Sequence, residues 1–331
     1  MIHDSTLDEL RRIKPATHRR PEDFDDFWAR SLDEHAPEDA LPEVRRCSGG
    51  TIGLAGFEVT FAGYDARPVK ARYLVPRRRM ERVPVVVEFP GRGSGTSERM
   101  SPWPDVGYGT LTVDHRGADS RAGVVAEGRH GVRTEGLGDR ESCDYRRLVV
   151  DAVCAVRALR LLPGADPARV AVVGRNEGGL LALALAALVP GVRAVITEAP
   201  LLCDVRRVLE TGEQGSYGEL FRGAILPGAG LAGAMMVLDY FDGVNFASRA
   251  ITPAMFSVSL DERFCPPSTG FAAYNAYGGE ARLQLTSSDE SDTGAVRSEF
   301  LREQFAVHDE ALDDFAVRMR TGVGGPGEIV A

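Results

Sequence analysis

A short glycine-flanked segment, residues 174–178, holds the side chains best placed for chemistry. It reads Gly-Arg-Asn-Glu-Gly and joins the β-branched run Val170–Val173 to a Leu/Ala-rich stretch that starts at Gly179. Such an order predicts a buried strand, a tight turn and a helix. The central residue, Asn176, then lies at a helix N-terminus, where backbone N–H groups and the helix dipole favour negative charge.

Asn176 and Glu177 each allow a functional and a structural interpretation. The Asn176 amide can donate a hydrogen bond to a substrate oxygen, but it is not a nucleophile because its nitrogen lone pair is delocalised. Alternatively, asparagine stands there because it tolerates strained backbone. In the structural interpretation Glu177 is a carboxylate stabilised by the helix dipole. In the functional one it is an acid/base group or a partner of Arg92.

Further candidates follow two other predicted strands. The loop after the strand at 84–89 contains Gly91 and Arg92, and Arg92 can bind a substrate carboxylate or phosphate or neutralise Glu177 or Glu88. Asp261 and Glu262 end the strand at 253–260 and can act as acid or base if burial shifts their pKa. Glu88, Gly91, Arg92 and Asp261 are predicted to contact substrate.

The elements around these residues alternate between strands and helices. This pattern predicts an α/β fold with a doubly wound, mostly parallel sheet, and an antiparallel edge formed by the alternating residues of 57–75. Ligands then bind at the carboxyl ends of the strands. We expect an N-terminal extension at 1–45, a main domain at 46–307 with a lid-like insertion at 201–240, and an extra helix and tail at 308–331.

Composition narrows the class of protein. The 331 residues carry a net charge of −9, which disfavours nucleic-acid binding, and no apolar run reaches the ~20 residues of a membrane span. Five cysteines without a C-x-x-C motif favour a reduced compartment, so we expect a cytoplasmic protein. No metal-ligand spacing and no G-K-[ST] motif occur, so we expect neither metal nor cofactor.

Several segments together resemble one family. Strand, G-x-x-x-G turn and helix form the nucleophile elbow of α/β hydrolases. Five further segments, in this order between residues 20 and 275, resemble the acetyl xylan esterases and cephalosporin C deacetylases, the AXE1-type carbohydrate esterases. They read RPEDFDDFWARSL, DHRGADS, YRRLVVDAVCAVRAL, DYFDGVNFASRA and FSVSLDERFCPPSTGFAAYN. The resemblance implies the α/β-hydrolase fold and a homo-oligomer.

The resemblance also implies that the catalytic triad is altered. The family's nucleophilic serine falls on Asn176, its acid on Glu262, and a gapless match puts its histidine at Ser291, which we add to the substrate-binding candidates. The six histidines lie elsewhere, at His3, His18, His35, His115, His130 and His308. Oxyanion donors correspond to the backbone N–H groups of Glu177 and Arg92, which do not depend on the side chain.

Three hypotheses follow for the function. The first is a secondary-metabolism enzyme that performs non-covalent acid/base chemistry on an acylated small molecule, such as acetate elimination or cyclisation. The second is a weak acetyl esterase in which a carboxylate activates water, and the third is a non-catalytic binding or assembly subunit. Under the first hypothesis we expect one water-accessible pocket beneath the 201–240 insertion. Four side chains should converge on it: Arg92, Asn176, Glu177 and Glu262.

Overall fold

A nine-stranded sheet lies at the centre of the part of the chain that the computed structural model describes. That part comprises residues 7–15, 20–37, 40–47, 53–77, 82–91, 101–114, 133–211, 217–225, 230–262, 264–286 and 294–306. The strands are β1 (Glu43–Arg46), β2 (Leu54–Ala62), β3 (Pro68–Pro76), β4 (Val83–Phe89), β5 (Gly109–Val113), β6 (Ala165–Arg175), β7 (Val192–Glu198), β8 (Ala254–Ser259) and β9 (Ala281–Thr286).

The strand order is β1-β2-β3-β5-β4-β6-β7-β8-β9. The first three strands pair antiparallel and β3 pairs antiparallel with β5, whereas the remaining neighbours are parallel. The predicted antiparallel edge and parallel centre are therefore confirmed. In the parallel part all carboxyl ends lie at one edge, so residues that follow β4, β6, β7 and β8 meet there.

Helices cover the sheet. They are α1 (Leu7–Arg11), α2 (Phe24–His35), α3 (Asp144–Leu159), α4 (Glu177–Leu188), α5 (Val205–Thr211), α6 (Tyr217–Ile225), α7 (Gly230–Leu238), α8 (Gly243–Ala247), α9 (Pro267–Ala276) and α10 over 294–306. None of these helices combines the length and apolar character that a bilayer crossing requires.

Two apolar cores lie on opposite faces of the sheet. Because side chains alternate along a strand, β4 sends Val85 and Val87 into the core under α3 and α4, and Val86 into the core under α10. Burial on both faces explains why β4 is a continuous apolar run. Helix α4 has leucine and alanine on all sides because it is buried from its first residue through Ala186.

The N-terminal segment packs on this body, as the spacing of its aromatic residues predicts. Phe24, Phe27 and Trp28 of α2 are buried, and the Trp28 indole N–H donates to the backbone oxygen of Tyr240 at 3.1 Å. The insertion at 201–240 contains α5, α6 and α7. A lid function for it remains a prediction, as do the domain boundaries. The extra helix and tail expected at 308–331 lie outside the described residues.

Candidate active site

The turn between β6 and α4 places Asn176 at the carboxyl edge of the sheet. Asn176 has φ 52° and ψ −111°, a strained conformation that costs about 1–3 kcal/mol and is common at functional sites. The flanking glycines make it possible. A Cβ atom on Gly174 would collide with the backbone carbonyl of Gly178, and one on Gly178 would collide with that of Phe89. The predicted elbow is confirmed.

Backbone hydrogen bonds hold the turn in this conformation. The Asn176 N–H donates to the Glu198 carbonyl at the end of β7 at 2.9 Å. The Asn176 carbonyl accepts from the N–H of Leu180 at 3.1 Å and from that of Leu201 at 2.9 Å. The elbow is thus joined to the segment that follows β7.

Asp242 fastens that segment in place. Its carboxylate accepts hydrogen bonds from the N–H groups of Asp204 (2.9 Å), Val205 (3.0 Å) and Val244 (2.9 Å). Burial outweighs these bonds and raises the pKa of Asp242 to about 7. Asp242 belongs to the stretch 239–250, one of the segments quoted for the family resemblance. Nothing in the sequence predicted that its carboxylate would accept three backbone hydrogen bonds.

The side chain of Asn176 makes two long contacts. Its Nδ2 atom lies 3.4 Å from the Ala199 carbonyl oxygen and 3.5 Å from the sulfur of Cys265. The contact with the Ala199 oxygen is near the limit of a hydrogen bond, and a thiol sulfur is a weak acceptor, so a ligand oxygen can compete for the amide. Burial raises the pKa of the Cys265 thiol to about 12, so it stays protonated at neutral pH and is a poor nucleophile.

Glu262 comes three residues before Cys265, in the loop after β8. One carboxylate oxygen accepts from the N–H of Phe264 at 2.9 Å, and the other is 3.6 Å from a guanidinium nitrogen of Arg175. Its neighbour Asp261 is exposed and accepts a hydrogen bond from the Ser259 hydroxyl. Of the two predicted acids, Glu262 is therefore the one oriented by the site.

Glu177 has a different environment. It is 1 % exposed, and its carboxylate lies 3.1 Å from Nε of Arg133, whose Nη1 lies 3.8 Å from Asp144. Burial disfavours the charge of Arg133, but Glu177 more than compensates and raises the pKa of the guanidinium. Sequence reasoning missed Arg133, which is 44 residues from Glu177 and belongs to none of the quoted motifs.

Glu88 lies in the polar end of the core under α10. Its buried carboxylate accepts from the Trp103 indole N–H at 2.7 Å and from the hydroxyls of Ser101 and Thr112 at 3.1 Å each. Burial raises the pKa of Glu88 in spite of these donors. Three satisfied hydrogen bonds give Glu88 a clear structural role, and its contact with substrate remains a prediction. Gly91 is buried just after β4.

Two predicted site residues, Arg92 and Ser291, lie outside the described residues. So do five of the six histidines. The sixth, His35, stacks on Tyr64 and lies 2.6 Å from a carboxylate oxygen of Asp65. Within the described ranges, no three His, Cys, Asp or Glu side chains are grouped so that they could hold a metal ion.

The structure thus places Asn176 in contact with Cys265, in the same loop as Glu262, and directs Glu177 into a buried ion pair. An amide donor and a carboxylate at the carboxyl edge can stabilise a developing oxyanion and move a proton. That pairing needs no nucleophile on the protein.

Comparison with known proteins agrees with this fold. Two solved acetyl xylan esterases, from Paenibacillus sp. R4 and Thermoanaerobacterium sp. JW/SL YS485, superimpose with TM-scores of 0.76 and 0.78. Each is 27% identical and covers 91% of this chain and 99% of its own. The acetyl esterase Axe7A of Xylanibacter ruminicola is 26% identical over 307 residues, which are 88% of this chain and 69% of that protein. The model of the acetyl xylan esterase (AXE1) family matches residues 1–308. The chain therefore belongs to the acetyl xylan esterase family and has the α/β-hydrolase fold.

Proposed function

We propose that this chain is an enzyme that binds an acylated small molecule at the β6–α4 turn and transforms it by acid–base chemistry, without an acyl-enzyme intermediate. The observation that carries the proposal is the position of Asn176. It occupies the strained elbow that presents a nucleophile in serine esterases, and its amide cannot be that nucleophile.

Asn176 supplies a hydrogen-bond donor in this proposal. Its contact with the Ala199 oxygen is long and the Cys265 sulfur is a weak acceptor, so little is lost when the amide turns to a ligand oxygen. A donor aimed at developing negative charge typically contributes about 10²–10³ in rate.

Glu262 supplies the base. It is 17% exposed, oriented by the Phe264 N–H, and shares Cys265 as a neighbour with Asn176. In an elimination, Glu262 takes a proton from the carbon adjacent to the acyloxy-bearing carbon. The C–H electron pair forms the double bond, the C–O bond breaks, and the acyl group leaves as a carboxylate whose charge Asn176 stabilises.

Turnover of a panel of acetylated small molecules tests the proposal. The panel consists of acetate esters with an acidic hydrogen next to the acyloxy carbon. We expect release of acetate with an unsaturated product, and a fall of about 10²–10³ in rate for Asn176→Ala. Glu262→Gln removes the base and should also lose turnover, whereas Glu299→Gln on exposed α10 should behave like the wild type.

Heavy-oxygen water separates elimination from hydrolysis. Elimination leaves the released acetate unlabelled because its C–O bond breaks on the alcohol side. Attack of water on the acyl carbon puts one heavy oxygen into acetate, and that result would favour the weak-esterase hypothesis. Specific binding of an ester without any turnover would favour the non-catalytic one.

A further inference from the structure

Arg175, the last residue of β6, directly precedes Asn176 and has a solvent-exposed side chain. Its side chain is 53% exposed. The arginines Arg133 and Arg297, by contrast, are 11% and 19% exposed, and each is held by a carboxylate that is itself almost buried. Arg175 is therefore the accessible cation of this group.

The partner of Arg175 holds it only loosely. In the described part of the chain its ion-pair partner is Glu262, with 3.6 Å between the nitrogen and oxygen atoms, which is too long for a good hydrogen bond. Glu262 directs its other oxygen to the Phe264 N–H. A guanidinium has five N–H donors, so most of its capacity is available to a ligand.

Arg175 also lies beside the reacting groups of the proposed function. The sulfur of Cys265 touches the Asn176 amide, and the charges of both Glu262 and Arg175 act on the pKa of this thiol. Glu262, the ion-pair partner of Arg175, comes three residues before Cys265 in the loop after β8. Because Arg175 directly precedes Asn176 in the chain, we expect its long side chain to reach the far end of a ligand whose acyl oxygen binds Asn176.

We propose that Arg175 is a specificity residue that binds a carboxylate on the substrate, so that the substrates are acylated acids rather than neutral esters. The planar guanidinium fork matches a carboxylate and forms two parallel hydrogen bonds with it, better than its single long contact with Glu262. This inference rests on the proposed function because it assumes that the acyl group binds at Asn176.

Binding of two matched probes to the full chain tests the inference. One is O-acetylmandelate and the other its uncharged primary amide, with affinities measured by ligand-observed NMR. We expect the wild type to bind the anion roughly 10- to 100-fold more tightly, the range for hydrogen bonds to charged groups. Arg175→Met should abolish the preference, Arg175→Lys should keep part of it, and Arg302→Met on exposed α10 should keep all of it.

The outcomes separate this inference from the proposed function. Equal affinity of the wild type for both probes, or equal effects of Arg175→Met and Arg302→Met, would overturn the role of Arg175. If Asn176→Ala still weakened both probes alike, the acyl site would stand. No binding of either probe to the wild type would overturn both. Loss of the neutral probe as well in Arg175→Met would show that Arg175 merely holds Glu262 in place, and would also overturn the inference.

Discussion

The amide nitrogen of Asn176 lies 3.5 Å from the sulfur of Cys265. This contact joins the β6–α4 turn to the loop after β8, which also carries Glu262. Two segments about 90 residues apart thereby meet at one buried thiol at the carboxyl edge of the sheet. The side chain at the elbow is an amide, which cannot serve as a nucleophile because its nitrogen lone pair is delocalised.

Replacing Gly178 with alanine should destabilise the protein. The new Cβ would meet the backbone carbonyl of Phe89, which cannot move without distorting β4. We expect a loss of about 1–3 kcal/mol in the free energy of unfolding, measured by urea denaturation. Gly294→Ala is the matched control, because no atom lies within 4 Å of its Cβ position. Equal stability of the two variants would contradict the steric account of the elbow.

Arg133→Met should remove the ion pair that Arg133 makes with the buried carboxylate of Glu177. Removing one partner of a buried pair typically costs about 3–5 kcal/mol. Adding Glu177→Gln removes the buried charge as well, so the double variant should recover much of that loss. The same cycle on the exposed Arg302–Glu299 pair should show a coupling of about 0–1 kcal/mol. A coupling of only about 0–1 kcal/mol between Arg133 and Glu177 would contradict the expectation that their buried ion pair stabilises the fold.

Glu88→Gln should change how stability depends on pH. Burial raises the pKa of Glu88 in the folded protein above its ordinary 4.5. The folded state therefore favours the protonated acid, and ionisation costs stability as pH rises from the ordinary pKa through the raised one. We therefore expect the free energy of unfolding of Glu88→Gln, relative to that of the wild type, to increase as pH rises through this range. Thermal or urea unfolding at several pH values measures it.

Glu299→Gln, on the exposed surface of α10, provides the control because it should show little of this trend. A relative stability of Glu88→Gln that falls as pH rises would mean that the three donors from Trp103, Ser101 and Thr112 outweigh burial.

The elbow was predictable from sequence because its constraints are local. Glycines at 174 and 178 are required by backbone atoms of the turn and of the adjacent strand. The partners of the site residues were not predictable, because they depend on strand order and loop path. Thr112 reaches Glu88 only because β5 lies beside β4, and Arg133 meets Glu177 across the sheet edge without any motif.

The central claim, that no serine of this chain serves as a nucleophile, is tested most directly by intact-protein mass spectrometry after incubation with a fluorophosphonate. A serine esterase in the same tube confirms that the reagent is active. Because Asn176 occupies the elbow, we predict that the mass of this chain stays unchanged while the control is labelled. Stoichiometric addition of one probe to this chain would contradict the claim and reveal an activated serine.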